Sequence, residues 1–269
     1  MQVYAVIGYP LNHTLSPNIH NYVFKVLGVD SIYVPLRIPP KKLHYFVEVA
    51  KDSLGGFNVT MPHKVSIVNL INDVVGPAKV LNSVNTVMNK DGELLGYNTD
   101  YIAIRHALSE GGYSGEDALI IGAGGVARAV ALALRDLGCS RVYVLNRTLE
   151  HGRELCSLIE SWGVDCVALS LQPNMGLSAW LLVNATPLGI NEPFPMNPRD
   201  LGVGLVLDLA YVPKGDTHLI RLAREYSIPH VDGLEILVRQ ALEADRIWFG
   251  DIERPTWKEI LLRLRGEYP

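Results

Sequence analysis

A glycine-rich segment in the middle of the chain has the residue types and the spacing that bind a pyrophosphate. Gly122, Gly124 and Ala127 form a G-x-G-x-x-A pattern between a short apolar run at 118–121 and a helical stretch at 127–137. Such a pattern permits a tight turn, a close approach of pyrophosphate to the backbone, and close packing of helix on strand. The helix N-terminus adds free N–H groups and a partial positive charge. The segment predicts dinucleotide binding, and the alternative is a plain glycine-rich turn in an α/β domain.

The end of the next predicted strand, at 142–145, indicates which dinucleotide binds. A unit that binds NAD usually carries Asp or Glu here, which hydrogen-bonds the ribose 2′-hydroxyl. This chain has Asn146, Arg147 and Thr148 instead. A guanidinium can pair bidentately with a 2′-phosphate and stack on adenine, whereas a carboxylate would repel the phosphate. We therefore predict NADP rather than NAD; the alternative is a solvated arginine at a strand end.

Two hydroxyls near the N-terminus form a second candidate site. Thr14 and Ser16 are two residues apart, so in an extended loop they face the same side. Together they could bind a carboxylate or a polyol. Pro17 and Asn18 start a predicted helix, so Ser16 could instead serve only as its N-cap. The residues alone do not decide between these two interpretations.

A lysine and an aspartate could supply acid–base chemistry. Lys64 follows a proline turn at the end of a predicted strand, and strand ends in open α/β sheets face the ligand crevice. The alternative for Lys64 is a solvated surface lysine. Asp100 precedes a predicted helix at 101–108, where it is expected to act as the N-cap. We interpret His63 as structural.

These residues need a scaffold of alternating strands and helices, which the hydrophobic pattern predicts along the whole chain. The N-terminal part has strands at 2–7 and 32–36, a helix at 43–51, and a hairpin that turns at 89–93. After the glycine turn, the pattern predicts further strands at 165–169, 180–184, 205–208 and 229–231, helices at 150–162 and 219–226, and the C-terminal helices 234–249 and 257–264. The fold class is α/β.

Composition limits the classes of function. Of the 269 residues, 48% are hydrophobic and 19% are charged, so the chain can bury a sizeable core. The formal net charge of −4 gives no electrostatic argument for binding nucleic acid or an anionic membrane. The three cysteines are odd in number and lack C-x-x-C spacing, which we interpret as reduced thiols. The chain begins without signal-peptide features, and we expect a cytoplasmic protein.

Motifs in a fixed order give the chain a resemblance to a known family. The individual motifs are weak, but the ordered set is specific. They are Thr14-Leu15-Ser16-Pro17, Asn58-Val59-Thr60 with Pro62 and Lys64, Asn82-x-Val84-Asn85-Thr86, Gly96-x-Asn98-Thr99-Asp100, the glycine turn, Asn146-Arg147-Thr148, Asn184-Ala185-Thr186-Pro187-Leu188-Gly189, Asp208-x-x-Tyr211-x-Pro213, and Asp232-Gly233-x-x-x-Leu237-Val238-x-Gln240-Ala241. The chain resembles the shikimate dehydrogenase family from Gly8 to Gly250.

The resemblance implies a fold with two α/β domains and a cleft between them. The substrate domain would comprise residues 1–99 with 234–269, because the C-terminal helices return to the first domain. A Rossmann-type NADP-binding domain would comprise residues 100–233. The protein would be a monomer or a homodimer, with a small-molecule substrate and with neither a nucleic acid nor a membrane as partner.

The resemblance also implies roles for individual residues. Lys64 and Asp100 would form the catalytic pair, and no metal is implied. The implied substrate contacts are Thr14, Ser16, Thr60, Asn85, Tyr211 and Gln240. The implied cofactor contacts are Gly122, Ala123, Gly124, Gly125, Val126, Ala127, Asn146, Arg147, Thr148, Thr186, Leu209 and Gly233. Thr14 stands where the family usually has serine, which keeps the hydroxyl and adds a methyl group.

The implied reaction is reversible hydride transfer between NADPH and 3-dehydroshikimate, giving shikimate. Two alternatives stay open at this point. A related class oxidises quinate as well as shikimate, often with NAD, although Arg147 favours NADP. The second alternative is a non-catalytic regulatory module that binds NADP. The presence of both Lys64 and Asp100 argues against this alternative.

Overall fold

The computed structural model describes residues 1–12, 14–172, 176–212 and 214–266 of the chain. The chain divides into two compact units. Unit 1 comprises Met1–Asp100 with Leu237–Ile260, and unit 2 comprises Tyr101–Ile236 with Leu261–Pro269. Each unit contains one six-stranded sheet with helices, which confirms the predicted α/β class.

The N-terminal elements belong to unit 1. Its strands are β1 (Gln2–Gly8), β2 (Ser31–Arg37), β3 (Gly56–Val59), β4 (Asp73–Val74), β5 (Thr86–Lys90) and β6 (Glu93–Tyr97). Its helices are α1 (Ser16–Leu27), α2 (Leu43–Ser53), α3 (His63–Ser66) and α4 (Pro77–Leu81), with short 3-10 turns at Pro40–Lys42 and Ile67–Asn69.

The remaining elements follow from the start of α5 (Thr99–Glu110). The strands are β7 (Ala118–Ile121), β8 (Arg141–Asn146), β9 (Asp165–Ser170), β10 (Leu181–Asn184), β11 (Leu205–Asp208) and β12 (His230–Val231). The helices are α6 (Gly125–Asp136), α7 (Leu149–Ser161), α8 (His218–Glu225), α9 (Gly233–Phe249) and α10 (Trp257–Arg265).

The sheet of unit 1 has the order β2-β1-β3-β5-β6-β4. β1 lies between two parallel partners, and β5 and β6 form the predicted antiparallel hairpin. Because β2 and β3 flank β1 on opposite sides, the carboxyl ends of β1 and β3 border a crevice. The Tyr9 N–H donates to the Met61 carbonyl at 2.9 Å and joins the loops after these two strands. The candidate residues Thr14 and Ser16 come after β1, and Thr60 and Lys64 come after β3.

Helix α9 packs its C-terminal half against the sheet of unit 1. Trp248 donates its indole N–H to the Val87 carbonyl at 3.0 Å. A Cβ at Gly56 would lie 2.3 Å from the Trp248 indole nitrogen, so only glycine leaves room for the ring. Tyr4 and Phe24 belong to the same aromatic cluster, with the Tyr4 ring 4.8 Å from Trp248. Aromatic packing therefore fixes α9 on unit 1.

The sheet of unit 2 is parallel, with the order β12-β11-β10-β7-β8-β9. The strand order reverses between β7 and β10, which places a ligand crevice outside their carboxyl ends. The central strands are fully buried, as expected for a parallel sheet covered on both faces. The predicted dinucleotide turn follows β7 directly.

The predicted elements agree with the structure in most of the chain, but the segment between the 3-10 turn at Ile67–Asn69 and β5 differs. The sequence predicts a simple turn framed by Asp73 and Pro77, but the segment contains strand β4 and helix α4. Both have five residues or fewer, too short for a hydrophobic period to be visible. Pro213 of the family motif lies outside the described residues.

The prediction of three reduced thiols is wrong for two of them. Cys156 in α7 and Cys166 in β9 form a disulfide, with Cα atoms 5.2 Å apart, while Cys139 is free and buried. The turn after α7 folds the next strand back onto the helix, a contact that cysteine spacing alone does not reveal. A closed loop of about ten residues stabilises the folded state by roughly 3 kcal/mol on the chain-entropy model. The cysteines thus no longer support a reducing compartment.

Among the described residues, every helix is too short or too polar to cross a membrane. Within the same part of the chain, no three His, Cys, Asp or Glu side chains are arranged to hold a metal ion.

Candidate functional site

Lys64 and Asp100 form an ion pair in unit 1. The Lys64 Nζ atom lies 2.6 Å from Asp100 Oδ2, and the two side chains are 26% and 16% exposed. The pair is thus accessible to a small molecule but partly shielded from water, which strengthens its electrostatic interaction. An ammonium beside a carboxylate can donate and accept a proton at one fixed position. The interpretation of Lys64 as a solvated surface lysine is therefore wrong.

Local backbone contacts place the two side chains together. Lys64 lies in α3, and its carbonyl accepts the Val84 N–H at 2.8 Å. The neighbouring His63 is 1% exposed, and its Nε2 contacts the Ile38 carbonyl at 2.6 Å, in agreement with a structural role. Helix α5 begins at Thr99, so Asp100 lies inside the first turn. The prediction that Asp100 is the N-cap is therefore wrong.

Asn85 lies at the centre of a buried polar network beside Asp100. Its Oδ1 accepts the Thr99 N–H at 2.7 Å, and its Nδ2 donates to Thr99 Oγ1 at 3.0 Å. Because a backbone N–H can only donate, the Thr99 contact fixes the orientation of the Asn85 amide. Asn85 thus holds its Oδ1 on the Thr99 N–H, and among the described residues Thr99 Oγ1 is the acceptor of its NH₂ group. The same contacts anchor the residue that precedes Asp100.

The network extends to residues that were not among the predicted site residues. Asn58 Nδ2 donates to Thr86 Oγ1 at 2.9 Å, and Thr86 Oγ1 donates to Asn85 Oδ1 at 3.1 Å. Asn58 Oδ1 in turn accepts the Tyr33 hydroxyl at 2.6 Å. The sequence contains a feature that could identify Asn58 as part of the network. Asn58 precedes Val59 in a strand that is buried throughout, and a buried polar side chain needs buried hydrogen-bond partners. No such feature identifies Tyr33, because tyrosine is common in strands.

The two N-terminal hydroxyls lie at the start of α1. The helix begins at Ser16, and the Ser16 N–H donates to Thr14 Oγ1 at 3.2 Å. Ser16 is therefore not the N-cap, and Thr14 supplies the side-chain acceptor for the first turn. The Ser16 side chain thus remains available for other contacts, whereas the Thr14 hydroxyl is already oriented.

Two further predicted substrate residues lie in unit 1, and one lies in unit 2. The Thr60 N–H donates to the Ile7 carbonyl at 2.9 Å, which holds the segment between β3 and α3. Gln240 in α9 contacts the Thr99 hydroxyl at 3.4 Å and so joins the network around Asn85. Tyr211 belongs to unit 2, where it follows β11.

The glycine turn of unit 2 has the geometry that a pyrophosphate needs. Gly122 has a φ of +104°, and a Cβ there would lie 2.6 Å from Thr186 Cγ2, so this position requires glycine. Among the described residues, apart from chain neighbours and the helix's own backbone, no atom lies within 4 Å of a Cβ built on Gly124 or Gly125, so a ligand can approach the backbone closely. Ala127 is fully buried beneath the first turn of α6. The turn and the N-terminus of α6 therefore fit a dinucleotide phosphate.

The segment after β8 presents an arginine to solvent. Asn146 Nδ2 donates to the Thr148 carbonyl at 2.7 Å and tightens the turn. Arg147 is exposed between them, and it forms no ion pair with any other described residue. Its guanidinium is thus available to bind an anion.

A buried carboxylate organises the loops at the carboxyl ends of β10 and β11. Asp208 is 0% exposed and accepts hydrogen bonds from Asn184 Nδ2 at 2.8 Å, the Ala210 N–H at 3.0 Å and Thr217 Oγ1 at 2.5 Å. Asn184 also contacts Thr186, whose hydroxyl donates to its Oδ1 at 2.6 Å. The 184–189 segment is therefore not a plain turn but part of a hydrogen-bonded platform.

Gly233 packs against the loop that follows β11. A Cβ at Gly233 would lie 2.6 Å from the carbonyl oxygens of Leu209 and Ala210. Glycine is thus required for the start of α9 to pack on the loop after β11. The predicted close approach of nicotinamide to Gly233 stays a prediction.

Asp208 is expected to make stability depend on pH. Burial raises the pKa of Asp208 from 3.8 to about 6, against the lowering effect of its three hydrogen-bond donors. The folded state therefore binds a proton that the unfolded state has released between pH 4 and 6, and stability decreases as pH rises through 6. From pH 5 to pH 7.5 this contribution falls by about 1 kcal/mol.

Asp208→Asn isolates this contribution, because an amide keeps the shape and can donate to Thr217 Oγ1 while its oxygen accepts from Asn184 and Ala210. The difference in free energy of unfolding between wild type and variant, measured by urea titration at both pH values, is expected to change by that amount. An identical pH dependence of the two proteins would contradict the assignment.

Comparisons with known proteins agree with these features. Residues 6–87 match the family model of the shikimate dehydrogenase substrate binding domain, and residues 105–174 match that of shikimate / quinate 5-dehydrogenase. A shikimate dehydrogenase (NADP(+)) from Caldivirga maquilingensis is 50% identical over 269 residues, which is 100% of both chains.

Solved structures give the same result for the fold. Shikimate 5-dehydrogenase from Thermus thermophilus, in complex with NADP(H) and shikimate, is 32% identical with a TM-score of 0.87 over 100% of both chains. The ligand-free 5-ketofructose reductase of Gluconobacter sp. strain CHM43 is 25% identical with a TM-score of 0.90 over 99% of both chains. One fold therefore serves reductases with different names, and the substrate must be argued from the site.

Proposed function

The chain belongs to the shikimate dehydrogenase family, and from this premise we propose that it catalyses the reversible NADP-dependent reduction of 3-dehydroshikimate to shikimate. The observation that carries the proposal is the 2.6 Å contact between Lys64 Nζ and Asp100 Oδ2. A ketone reduction needs a proton donor beside the carbonyl, and the reverse oxidation needs a base at the same position. A regulatory module would need neither.

In the proposed mechanism Lys64 is the acid–base group. When bound, NADPH supplies the hydride that reduces the C3 carbonyl. The Lys64 ammonium stabilises the negative charge that develops on the carbonyl oxygen and transfers a proton to it. In the direction of oxidation, Lys64 begins as the neutral amine and accepts the proton of the C3 hydroxyl, because an ammonium has no lone pair to accept one. Asp100 holds the Lys64 side chain and orients that hydroxyl, so the two residues act as one unit.

The substrate is proposed to lie against the polar residues of unit 1. The hydroxyls of Thr14 and Ser16 bind its carboxylate, with Ser16 directed by the start of α1. Its ring hydroxyls contact Thr60, Gln240 and the side-chain amide of Asn85. Tyr211 of unit 2 is the further proposed contact.

The cofactor is proposed to bind unit 2. The backbone of Gly122, Ala123, Gly124, Gly125 and Val126 and the first turn of α6 hold the pyrophosphate, while Ala127 supports the turn from below. Asn146, Arg147 and Thr148 bind the 2′-phosphate of the adenosine half. Thr186, Leu209 and Gly233 contact the nicotinamide half.

A direct assay tests the proposed function. The purified protein with NADP is expected to form NADPH when shikimate is added, and to oxidise NADPH with 3-dehydroshikimate. Parallel reactions use quinate with NADP and with NAD, and 5-ketofructose with NADPH. A higher kcat/KM for quinate or for 5-ketofructose than for shikimate would overturn the proposal.

Three finer expectations remain predictions. These are a cytoplasmic location, a monomer or homodimer, and the division into a substrate domain at 1–99 with 234–269 and a cofactor domain at 100–233.

A further inference from the structure

A buried histidine–aspartate pair in unit 1 has no part in the proposed mechanism. His20 Nδ1 in α1 lies 2.7 Å from Asp245 Oδ1 in α9, and both side chains are 0% exposed. His20 Nε2 and Asp245 Oδ2 have no hydrogen-bond partner among the described residues. Burial of such a pair costs desolvation energy that a pair of apolar side chains would not. The presence of this polar pair in the core, in place of two apolar side chains, therefore needs a physical explanation.

The His20–Asp245 pair lies directly against Tyr33. The imidazole of His20 stacks on the Tyr33 ring with centroids 4.1 Å apart and an interplanar angle of 19°. Trp248 of α9 packs on the other rings, 5.3 Å from His20 and 6.2 Å from Tyr33. Because Tyr33 is 1% exposed, these neighbours leave its ring no room to shift.

The fixed ring directs the Tyr33 hydroxyl at the buried polar network around Asn85. It donates to Asn58 Oδ1 at 2.6 Å. His20 follows Ser16 by one helical turn, so one face of α1 carries both the proposed carboxylate ligand and the residue that holds Tyr33.

Asn58 links Tyr33 to Asn85 through hydrogen bonds. Its Nδ2 donates to the Asn85 carbonyl at 3.3 Å and to Thr86 Oγ1 at 2.9 Å. An amide that accepts from Tyr33 on one side must present its N–H groups on the other. A single residue, Asn58, thus separates the Tyr33 hydroxyl from Asn85, a proposed substrate ligand.

We propose that Tyr33 is a positioning residue for the substrate, which sets the Asn58 amide and, through it, Asn85 in place and is itself held by the His20–Asp245 pair. The inference rests on the proposed function, because that function assigns Asn85 to a ring hydroxyl of the substrate. Loss of the Tyr33 hydroxyl leaves Asn58 Oδ1 without its donor. The consequence is weaker substrate binding, with the acid–base pair untouched.

Tyr33→Phe tests this inference, since it removes one oxygen atom and keeps the ring. The KM for shikimate is expected to rise about tenfold, the equivalent of one good hydrogen bond. The kcat is expected to stay within about twofold, because no reacting group loses a contact. The KM for NADP is expected to stay unchanged.

Tyr4→Phe is the matched control. Tyr4 belongs to the same aromatic cluster, but its hydroxyl donates to Gln2 at 3.2 Å, away from the proposed site. Both variants lose one hydroxyl from one cluster, so both can lower the melting temperature. Only Tyr33→Phe is expected to raise the KM for shikimate, and equal KM values for the two variants would overturn the inference.

A double-mutant cycle with Asn85→Ala tests the route. If Tyr33 acts through Asn85, then Tyr33→Phe raises the KM in the wild-type background but changes it little once Asn85 is alanine. If the double variant instead raises the KM by the product of the two single-variant factors, the two residues act independently and this route is overturned. Should Tyr33→Phe not fold, Asn58→Ser removes the same hydrogen bond from the other side and is judged by the same criterion.

The wild-type assay separates failure of this inference from failure of the proposed function. Absence of shikimate oxidation by the wild type overturns the proposed function. Normal oxidation by the wild type, together with an unchanged KM in Tyr33→Phe, overturns only the role of Tyr33.

Discussion

Lys64→Ala is expected to lower kcat for shikimate oxidation by about 10²–10⁴-fold, the range that a positioned acid–base group contributes. The KM for shikimate is expected to change little, because Lys64 acts on the charge that develops during reaction rather than on the bound substrate. Initial rates of NADPH formation at varied shikimate and saturating NADP measure both constants. The large loss in kcat is the decisive quantity.

Lys79→Ala is the matched control for Lys64→Ala. Lys79 is another lysine of unit 1 that pairs with an aspartate, with Nζ 3.1 Å from Asp73 Oδ1, but both side chains are more than half exposed. An exposed pair of this kind contributes little to stability, and Lys79 is not among the proposed site residues, so kcat is expected to stay near the wild-type value. If Lys64→Ala retained most of the wild-type kcat, Lys64 would not be the acid–base group.

Asp100→Asn extends this argument to the second member of the pair. The amide keeps the shape of the carboxylate but removes the charge that holds the Lys64 ammonium at 2.6 Å. A decrease in kcat close to that of Lys64→Ala is expected, and the double variant is expected to be no worse than either, because the two groups act as a unit.

The sequence predicts the parts of the fold that repeat along the chain. The glycine turn after β7 and the hairpin of β5 and β6 have local patterns, which the structure confirms. The same holds for Lys64, since a polar residue after a buried strand is placed at a sheet edge by strand direction alone. Local sequence patterns and the hydrophobic period are therefore sufficient to predict the scaffold and the position of Lys64.

Contacts between distant segments are beyond such patterns. His20 and Asp245 are separated by 225 residues, and nothing in either helix identifies the other as its partner. The disulfide of Cys156 and Cys166 spans only 10 residues, yet it depends on how α7 packs on β9. Short elements such as α4 are fixed by tertiary packing rather than by propensity. The residues that the sequence does not predict are thus those whose role depends on contacts with distant segments of the chain.

Selectivity between NADP and NAD is expected to depend on Arg147. The residue is exposed after β8, on a turn that the Asn146 side chain tightens, and it has no anionic partner among the described residues. Its guanidinium can form a bidentate, charge-assisted contact with a 2′-phosphate, a group that NAD lacks. Arg147→Ala is therefore expected to raise the KM for NADP by about 10- to 100-fold, and the KM for NAD by less than about twofold.

Arg153→Ala is the control for this prediction. Arg153 lies nearby in α7 and is also exposed, but it already faces Glu150 at 3.9 Å. Removal of its charge changes the general potential of the surface by the same amount and leaves the proposed phosphate contact intact, so a general electrostatic effect would appear in both variants. Values of kcat/KM for the two cofactors at saturating shikimate measure the difference. If Arg147→Ala affected NADP and NAD equally, Arg147 would not bind the 2′-phosphate, and the preference would have to come from Asn146 and Thr148, whose uncharged side chains can hydrogen-bond the phosphate but cannot neutralise it.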